Sequence, residues 1–421
     1  MAYDSLIGIN GAGTVGNRVA DILDSMGFPV WLGKYSADPL DIKTIELQEL
    51  QQRAGKKFPM YAAKGGRTPI TDRMAAMKKA GFDVKGSITD LDLSKTTLVL
   101  DATDKMEGRN YNELYLPSGV PFAIQGGGNS LLVNNFYFVG APGTVSADPA
   151  NAKPYHERNA QIVSCNTTCL TTQLGLLRKV LQDHHPDAVK HVSINFLRRN
   201  NDPNNFDIVE EAPSEQFPEG RRIRVPRVAS PFVTMEDKPY HLDELEFLLP
   251  QVSGKVDSVV SKWPVEYFHI LTVTVDFNEL IPEDLIEAYK LAIFEYPRAI
   301  YTDGPLCHKR TLVAASKAKL PDGDIPFPVI KVRQVHDTKL EIKSLTPQRA
   351  IVAPSSADYT LMRTQKISWD EAFAEVNRAA SFRGLPFWDI KNSMQDNLRR
   401  YTETVREEAS WLERCVRSFG K

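Results

Sequence analysis

Seven residues near the start of the chain, Asn10-Gly11-Ala12-Gly13-Thr14-Val15-Gly16, constrain its fold more than any others. They follow a short apolar run, Leu6-Ile7-Gly8-Ile9, which reads as a buried strand. Val15, Val19, Ile22, Leu23 and Met26 then recur at the spacing of one helix face, and Pro29-Val30-Trp31-Leu32 reads as a second strand. Strand, glycine turn, helix, strand is the opening of a Rossmann unit. Gly11 allows the tight turn, Gly13 lets backbone approach a pyrophosphate, and Gly16 lets helix and strand pack closely. The unpaired N–H groups at the helix start suit phosphate. The turn therefore predicts a dinucleotide site built on Asn10, Gly11, Ala12, Gly13, Thr14, Val15 and Gly16; the alternative is a tight turn without a ligand.

The end of the second strand bears on which dinucleotide. NAD-selective sites place an acid there to hold the ribose hydroxyls. Here Gly33-Lys34-Tyr35-Ser36 offers none before Asp38, and Lys34 with Ser36 would welcome a 2′-phosphate. NADP is expected, with NAD tolerated, unless Lys34 is only a solvated surface charge. Thr97 to Thr103 and Pro121 to Gly128 continue the α/β alternation as strands ending in small polar residues or glycines. Such ends line the crevice in which open α/β sheets hold ligands.

A chain of 421 residues has room for two domains, and 42% hydrophobic with 25% charged residues is a globular composition. A net charge of -2 gives no reason to expect nucleic acid or an anionic membrane as partner. No apolar stretch reaches membrane-spanning length and the N-terminus lacks a secretory pattern, so a cytoplasmic protein is expected. Cys165, Cys169, Cys307 and Cys415 are too scattered for a disulfide framework or a zinc site, and no metal is expected.

One cysteine stands apart. Gln161-Ile162-Val163-Ser164 reads as a strand entering Cys165-Asn166-Thr167-Thr168, after which Leu170, Leu174, Leu177, Val180 and Leu181 mark a long helix. A thiol at a helix N-terminus is favoured as thiolate, the reactive form. Cys169, one turn later, reads as helix packing. A reactive thiol needs a base to take its proton. His269 lies in the strand Tyr267 to Val275, sharing a face with Leu271, Val273 and Val275, where it is either that base or a core histidine. The strand Val192 to Arg199 ends in Arg198-Arg199, whose guanidinium forks suit phosphate. Neighbouring strand residues point to opposite faces, so both arginines reach one anion only if the strand ends or bulges there.

Ser164-Cys165-Asn166-Thr167-Thr168 resembles the active-site motif of glyceraldehyde-3-phosphate dehydrogenases of the archaeal type. The stretch Ile9 to Ala20, Gln125-Gly126-Gly127, Leu197-Arg198-Arg199 before Asp202-Pro203-Asn204, and the segment Gln348 to Pro354 are similar to the same family, so that the resemblance spans roughly residues 5 to 360. It implies a Rossmann domain over 1–163 completed by C-terminal helices over 360–421, and an α+β catalytic domain over 164–359 with a mixed or antiparallel sheet. It implies Cys165 as nucleophile, His269 as base, and Gln125, Gly126 and Gln348 as cofactor contacts. It further implies that Asn166, Thr167, Thr168, Arg198, Arg199 and His241 hold the phosphorylated aldehyde and phosphate, in a homotetramer. The reaction implied is phosphorylating oxidation of glyceraldehyde 3-phosphate with NADP or NAD.

Two departures stand out. The family's Ser-His-His-Gly-Pro-Asp segment is matched here only by Pro239-Tyr240-His241-Leu242-Asp243, after a basic stretch from Pro218 to Pro231. That leaves the acceptor open, and with it a semialdehyde or non-phosphorylating aldehyde dehydrogenase, or a non-catalytic nucleotide-sensing protein. The tail is the second. Ser368-Trp369-Asp370-Glu371 reads as a capping box, and Ile390, Met394, Leu398, Tyr401, Val405, Leu412 and Val416 mark a long amphipathic helix expected to pack on the first domain or a neighbouring subunit.

Overall fold

The computed structural model describes residues 3–35, 41–63, 68–103, 107–126, 137–141, 159–182, 188–199, 206–211, 221–226, 232–234, 240–263, 267–320 and 323–419. Ser36, Asp38, Gly127, Gly128, Asp202, Pro203 and Asn204 lie outside them, as do the side chains of Arg199, of 206–239 and of 405 onward.

Eight parallel strands make the first sheet: β1 (Ile7–Asn10), β2 (Val30–Lys34), β3 (Pro59–Ala62), β4 (Asp83–Ser87), β5 (Leu98–Asp101), β6 (Phe122–Gln125), β7 (Tyr137–Phe138) and β8 (Ala160–Ile162). Their order is β4-β3-β2-β1-β5-β6-β8-β7. The order reverses at β1, so a crevice opens between the carboxyl ends of β1 and β5. Helices α1 (Thr14–Ser25), α2 (Ile42–Ala54) and α3 (Ile70–Lys79) connect the first four strands, and α4 (Glu107–Asn110) with α5 (Leu116–Ser118) leads into β6. β1 and β5 are buried along their whole length, as strands covered on both faces must be.

The second sheet is mixed. Its strands β9 (Val189–Arg199), β12 (Phe232–Thr234), β13 (Val256–Trp263), β14 (Phe268–Phe277), β15 (Ile300–Tyr301), β16 (Val329–His336) and β17 (Lys339–Pro347) take the order β12-β13-β9-β14-β17-β16-β15, with β10 (Phe206–Glu211) and β11 (Arg221–Pro226) as a separate hairpin. Helix α6 (Cys165–Gln182) leaves the first sheet and lies on the second: Cys169, Leu170, Leu174, Leu177 and Leu181 pack with Phe196, Leu271, Val273 and Val275 in one core. Helices α7 (Tyr240–Leu248), α8 (Leu285–Glu295) and α9 (His308–Lys317) flank it. The chain is thus α/β, with a Rossmann-type parallel sheet, a mixed second sheet and C-terminal helices, as expected.

Those C-terminal helices are α10 (Ala353–Gln365), α11 (Trp369–Ala379) and α12 (Phe387–Phe419), with the hairpin β18 (Ser381–Phe382) and β19 (Leu385–Pro386) before α12. The capping box forms: Ser368 N–H donates to Glu371 at 2.8 Å, and Glu371 N–H to Ser368 Oγ at 3.3 Å. α10 and β18 pack on α1, and Ile390, Met394 and Leu398 of α12 are buried in a core shared with the first sheet. Tyr401 is already exposed, and the side chains of Val405, Leu412 and Val416 lie outside the described residues. A buried charge cluster ties these parts. Arg18 on α1 forks onto Glu46 of α2 and donates to Asp324 at 3.1 Å; Asp324 also takes Arg383 of the hairpin at 2.6 Å, and Glu46 takes Arg349 at 3.3 Å. Burial would raise the Asp324 carboxyl, but Arg18 and Arg383 outweigh it and hold it below the usual range. Removing one partner of such a cluster costs about 3–5 kcal/mol, because a buried charge is left alone.

Candidate active site

The crevice at β1 is built largely from missing side chains. Gly11 has φ +104°, and a Cβ there would lie 2.6 Å from the backbone of Ala102, just past β5. A Cβ on Gly16 would overlap the Gly11 carbonyl oxygen, so no side chain fits under the helix start. The N-cap of α1 is Gly13, and no side chain caps the helix. The turn is braced from behind: Gly11 and Ala12 donate their N–H groups to Gly33 O at 3.0 and 2.7 Å.

Asn10 is engaged within the protein. Its Nδ2 donates to Tyr115 Oη at 2.8 Å, and Tyr115 donates to Asp101 Oδ2 at 2.6 Å. Thr103 and Asn110 also donate to Asp101, yet burial wins and raises its carboxyl. This brace behind the turn, involving Tyr115 and Asn110, was not legible in the sequence. Lys34 is 4% exposed, and its Nζ donates to Ala12 O at 3.2 Å, inside the turn. It is no solvated surface charge. Burial pushes its ammonium down to about 8, with Asp41 and Glu46 offsetting part of that. Gln125 Oε1 accepts from Ser356 at 2.5 Å while its Nε2 is buried without a partner among the described residues, as is Gln348 Oε1. Gly126 follows β6 at φ +94°.

The second half of the site lies where α6 begins. Ser164 caps the helix: its Oγ accepts from Thr167 N–H at 3.3 Å, and its carbonyl from Thr168 N–H at 2.8 Å. Cys165 is therefore the first helical residue, and it is partly exposed. Cys169 is fully buried, contacts Ser344 and Gln173, and burial raises its thiol, in keeping with packing.

The threonines depart from the expectation that their hydroxyls face a ligand. Thr167 donates to Glu244, and Thr168 to Ser164 O at 2.9 Å, the usual back-bond of a first-turn hydroxyl. Asn166 points its Nδ2 at His241 Nε2, 3.4 Å away. His241 is fully buried, and its Nδ1 lies 3.0 Å from Ser164 Oγ. Burial, aided by the charge of Arg198, pushes its imidazolium well below the ordinary value, so His241 is neutral. Below it, burial pushes the Glu244 carboxyl up to about 7. Glu244 went unnoticed in the sequence, although an acid three residues after His241 on one helix was a usable signal.

The sheet supplies the facing wall. His269 is 3% exposed and lies on the same face as Leu271, beneath α6. Leu197 pairs with Ile270, so Arg198 stands level with His269 at the same edge and on the same face. Arg198 Nε is buried without a hydrogen-bond partner among the described residues. β9 pairs with β13 in unbroken register through Arg199, whose side chain lies outside the described residues. The structure thus brings Asn166 to His241 at the start of α6 and sets Arg198 level with His269 on the sheet.

A thiol at a helix start, an imidazole and a guanidinium side by side on the second sheet, and a glycine turn in the first set a candidate thiol site on a Rossmann-type fold. No family model matches the chain. It is similar to curated glyceraldehyde-3-phosphate dehydrogenases of archaea: 26% identical to that of Pyrococcus furiosus over 68% of this chain and 70% of that protein. It is 25% identical to that of Thermococcus kodakarensis over 71% and 76%, and 25% identical to that of Archaeoglobus fulgidus over 67% and 70%. These relatives support a glyceraldehyde-3-phosphate-dehydrogenase-like family for the chain, and an oxidoreductase.

Proposed function

We propose that the protein oxidises glyceraldehyde 3-phosphate to 1,3-bisphosphoglycerate, reversibly and with phosphate as acceptor. The observation that carries this is the placing of Cys165 at the open start of α6 with His269 and Arg198 on the sheet face below. In this reading residues 1–163 and 360–421 bind the cofactor, residues 164–359 carry the chemistry, and the protein works as a cytoplasmic homo-oligomer.

The crevice fits a nicotinamide dinucleotide: a Cβ-free turn under an uncapped helix start, and the orphaned amide atoms of Gln125 and Gln348. Gly11, Ala12, Gly13, Thr14, Val15 and Gly16 would hold its phosphates, Asn10 bracing them from behind. Lys34 would meet a 2′-phosphate, which favours NADP. When bound, the cofactor supplies the hydride acceptor. The thiolate of Cys165 attacks the aldehyde carbon, forming a C–S bond and an oxyanion, whose stabilisation falls to donors of the α6 turn. His269, holding the proton it took from the thiol, gives it to this oxyanion, then takes the resulting hydroxyl proton back as hydride leaves the same carbon, and a thioester remains. A phosphate oxygen then attacks the thioester; the C–S bond breaks, releasing acyl phosphate and thiolate. Arg198, with its unpartnered Nε, is the cation placed to hold a phosphate here.

The test is reduction of NADP or NAD by glyceraldehyde 3-phosphate, followed by absorbance with and without phosphate or arsenate. Phosphate-dependent reduction supports the proposal. Phosphate-independent reduction would favour the non-phosphorylating reading, which Tyr240 before His241, where the family has two histidines, keeps in view. No reduction would direct the search to semialdehydes.

A further inference from the structure

We propose that Glu244 is a positioning residue for Cys165: the charge on its carboxyl sets the direction of a buried hydrogen-bond chain running to Asn166, the residue next to the nucleophile. The proposal rests on the reading of Cys165 as nucleophile given above.

Among the described residues the chain is continuous. Asn166 Nδ2 faces His241 Nε2 at 3.4 Å, His241 Nδ1 faces Ser164 Oγ at 3.0 Å, Ser164 Oγ faces Thr167 Oγ1 at 3.1 Å, and Thr167 donates to Glu244. Each link has one consistent sense. An amide nitrogen only donates, so His241 Nε2 accepts and its Nδ1 carries the proton. That N–H donates to Ser164, whose hydroxyl donates to Thr167, whose hydroxyl donates to the carboxylate. The backbone N–H of Ser164 donates to it as well. Four successive donors end on an acceptor, and in an ionised Glu244 the oxygen facing Thr167 always accepts.

A proton on the Glu244 oxygen that faces Thr167 inverts the order. The carboxyl then donates to Thr167, Thr167 to Ser164, and Ser164 to His241 Nδ1, which moves the imidazole proton to Nε2. That N–H meets the amide nitrogen of Asn166 unless the amide turns over. Asn166 has room for that exchange, because its Oδ1 is buried and has no partner among the described residues. The two charge states of Glu244 thus leave Asn166 with opposite amide orientations, and only the ionised state sets a negative charge behind the thiolate.

Both states are within reach of neutral pH, since burial pushes this carboxyl up to about 7. The surrounding groups do not override it. Asp243 on the same helix raises it further, and Thr167 with the Ser164 N–H lowers it. His241 is neutral and Tyr240 is held protonated, first by burial, with Glu244 and Cys165 adding to it; Arg198 on β9 is the nearby cation. The Cys165 thiol on α6 acts on Tyr240, and His269 on β14 stands level with Arg198.

The test is iodoacetamide alkylation of the full-length protein at about pH 5 to 10, read at Cys165 by peptide mass spectrometry so that the other thiols are resolved. The wild-type rate should show the thiol titration damped by a second inflection near 7. Glu244→Gln keeps the shape and removes the charge: the inflection should vanish and alkylation near neutral pH should rise roughly threefold. Thr167→Val, which removes a donor to the carboxylate, should move the inflection to higher pH. Superimposable wild-type and Glu244→Gln profiles would overturn the proposal, as would an inflection unmoved by Thr167→Val. The expected shifts in a protein that oxidises no aldehyde would support the coupling and overturn only the reading of its function.

Discussion

Two helix starts are built by opposite means. α1 begins at a glycine with no capping side chain, and its approach is kept clear by the missing Cβ atoms of Gly11 and Gly16. α6 begins on Ser164, and behind it Thr167, His241 and Glu244 form a buried polar chain. The first start is shaped to admit a large anionic ligand, which brings its own hydrogen-bond acceptors. The second must hold one thiol in place, so the protein supplies every partner itself. An open turn is specified by what is absent, and a positioned nucleophile by what is buried around it.

The largest effect separates the two starts by role. Cys165→Ser should abolish aldehyde oxidation, by on the order of 10⁴-fold or more, while dinucleotide binding measured by fluorescence titration stays within a factor of two. Retained turnover would remove the thiol end from the chemistry. Gly16→Ala tests the other start. The new methyl meets backbone, which cannot move aside cheaply, so the melting transition should report a loss of about 2–3 kcal/mol together with weakened dinucleotide binding. An unchanged melt would show that the turn has slack.

The next test asks whether the polar chain is costly. The folded Glu244 carboxyl is raised from 4.5 to about 7, so its contribution to stability is fully present below 4.5 and is lost as pH rises through about 7. The loss is about 3 kcal/mol from the shift alone. Chemical denaturation across that window should show the fall in the wild type and a flatter curve in Glu244→Gln; parallel curves would contradict the burial of this charge. The smallest effect concerns Lys34. Lys34→Met should raise the KM for NADP roughly tenfold and leave that for NAD nearly unchanged. Burial pushes its ammonium down to about 8, so the proposed preference for NADP should weaken as pH rises through that value. A preference independent of both would place the 2′-phosphate elsewhere.

Much of this was readable along the chain. The glycine turn, the start of α6 at Cys165, the packing role of Cys169 and the capping box at Ser368 are local patterns, each decided within one or two helical turns. The apolar face of β14 was equally plain, because strand alternation is a local rule. The inward turn of the Thr167 hydroxyl was not, since its acceptor Glu244 lies 77 residues away. Nor was the burial of Lys34, whose Nζ folds back onto a carbonyl 22 residues earlier.

The sequence by itself determined the α/β class, the glycine turn after β1 and a thiol set at the start of a long helix, because each depends on periodicity and on the conformational needs of neighbouring residues. Tertiary structure decided the rest. Sheet register put Arg198 level with His269. Packing of α7 against α6 buried His241 and Glu244 behind the thiol. These are consequences of distant strands and helices meeting, and a side chain's charge and hydrogen-bond partners follow from what surrounds it in space.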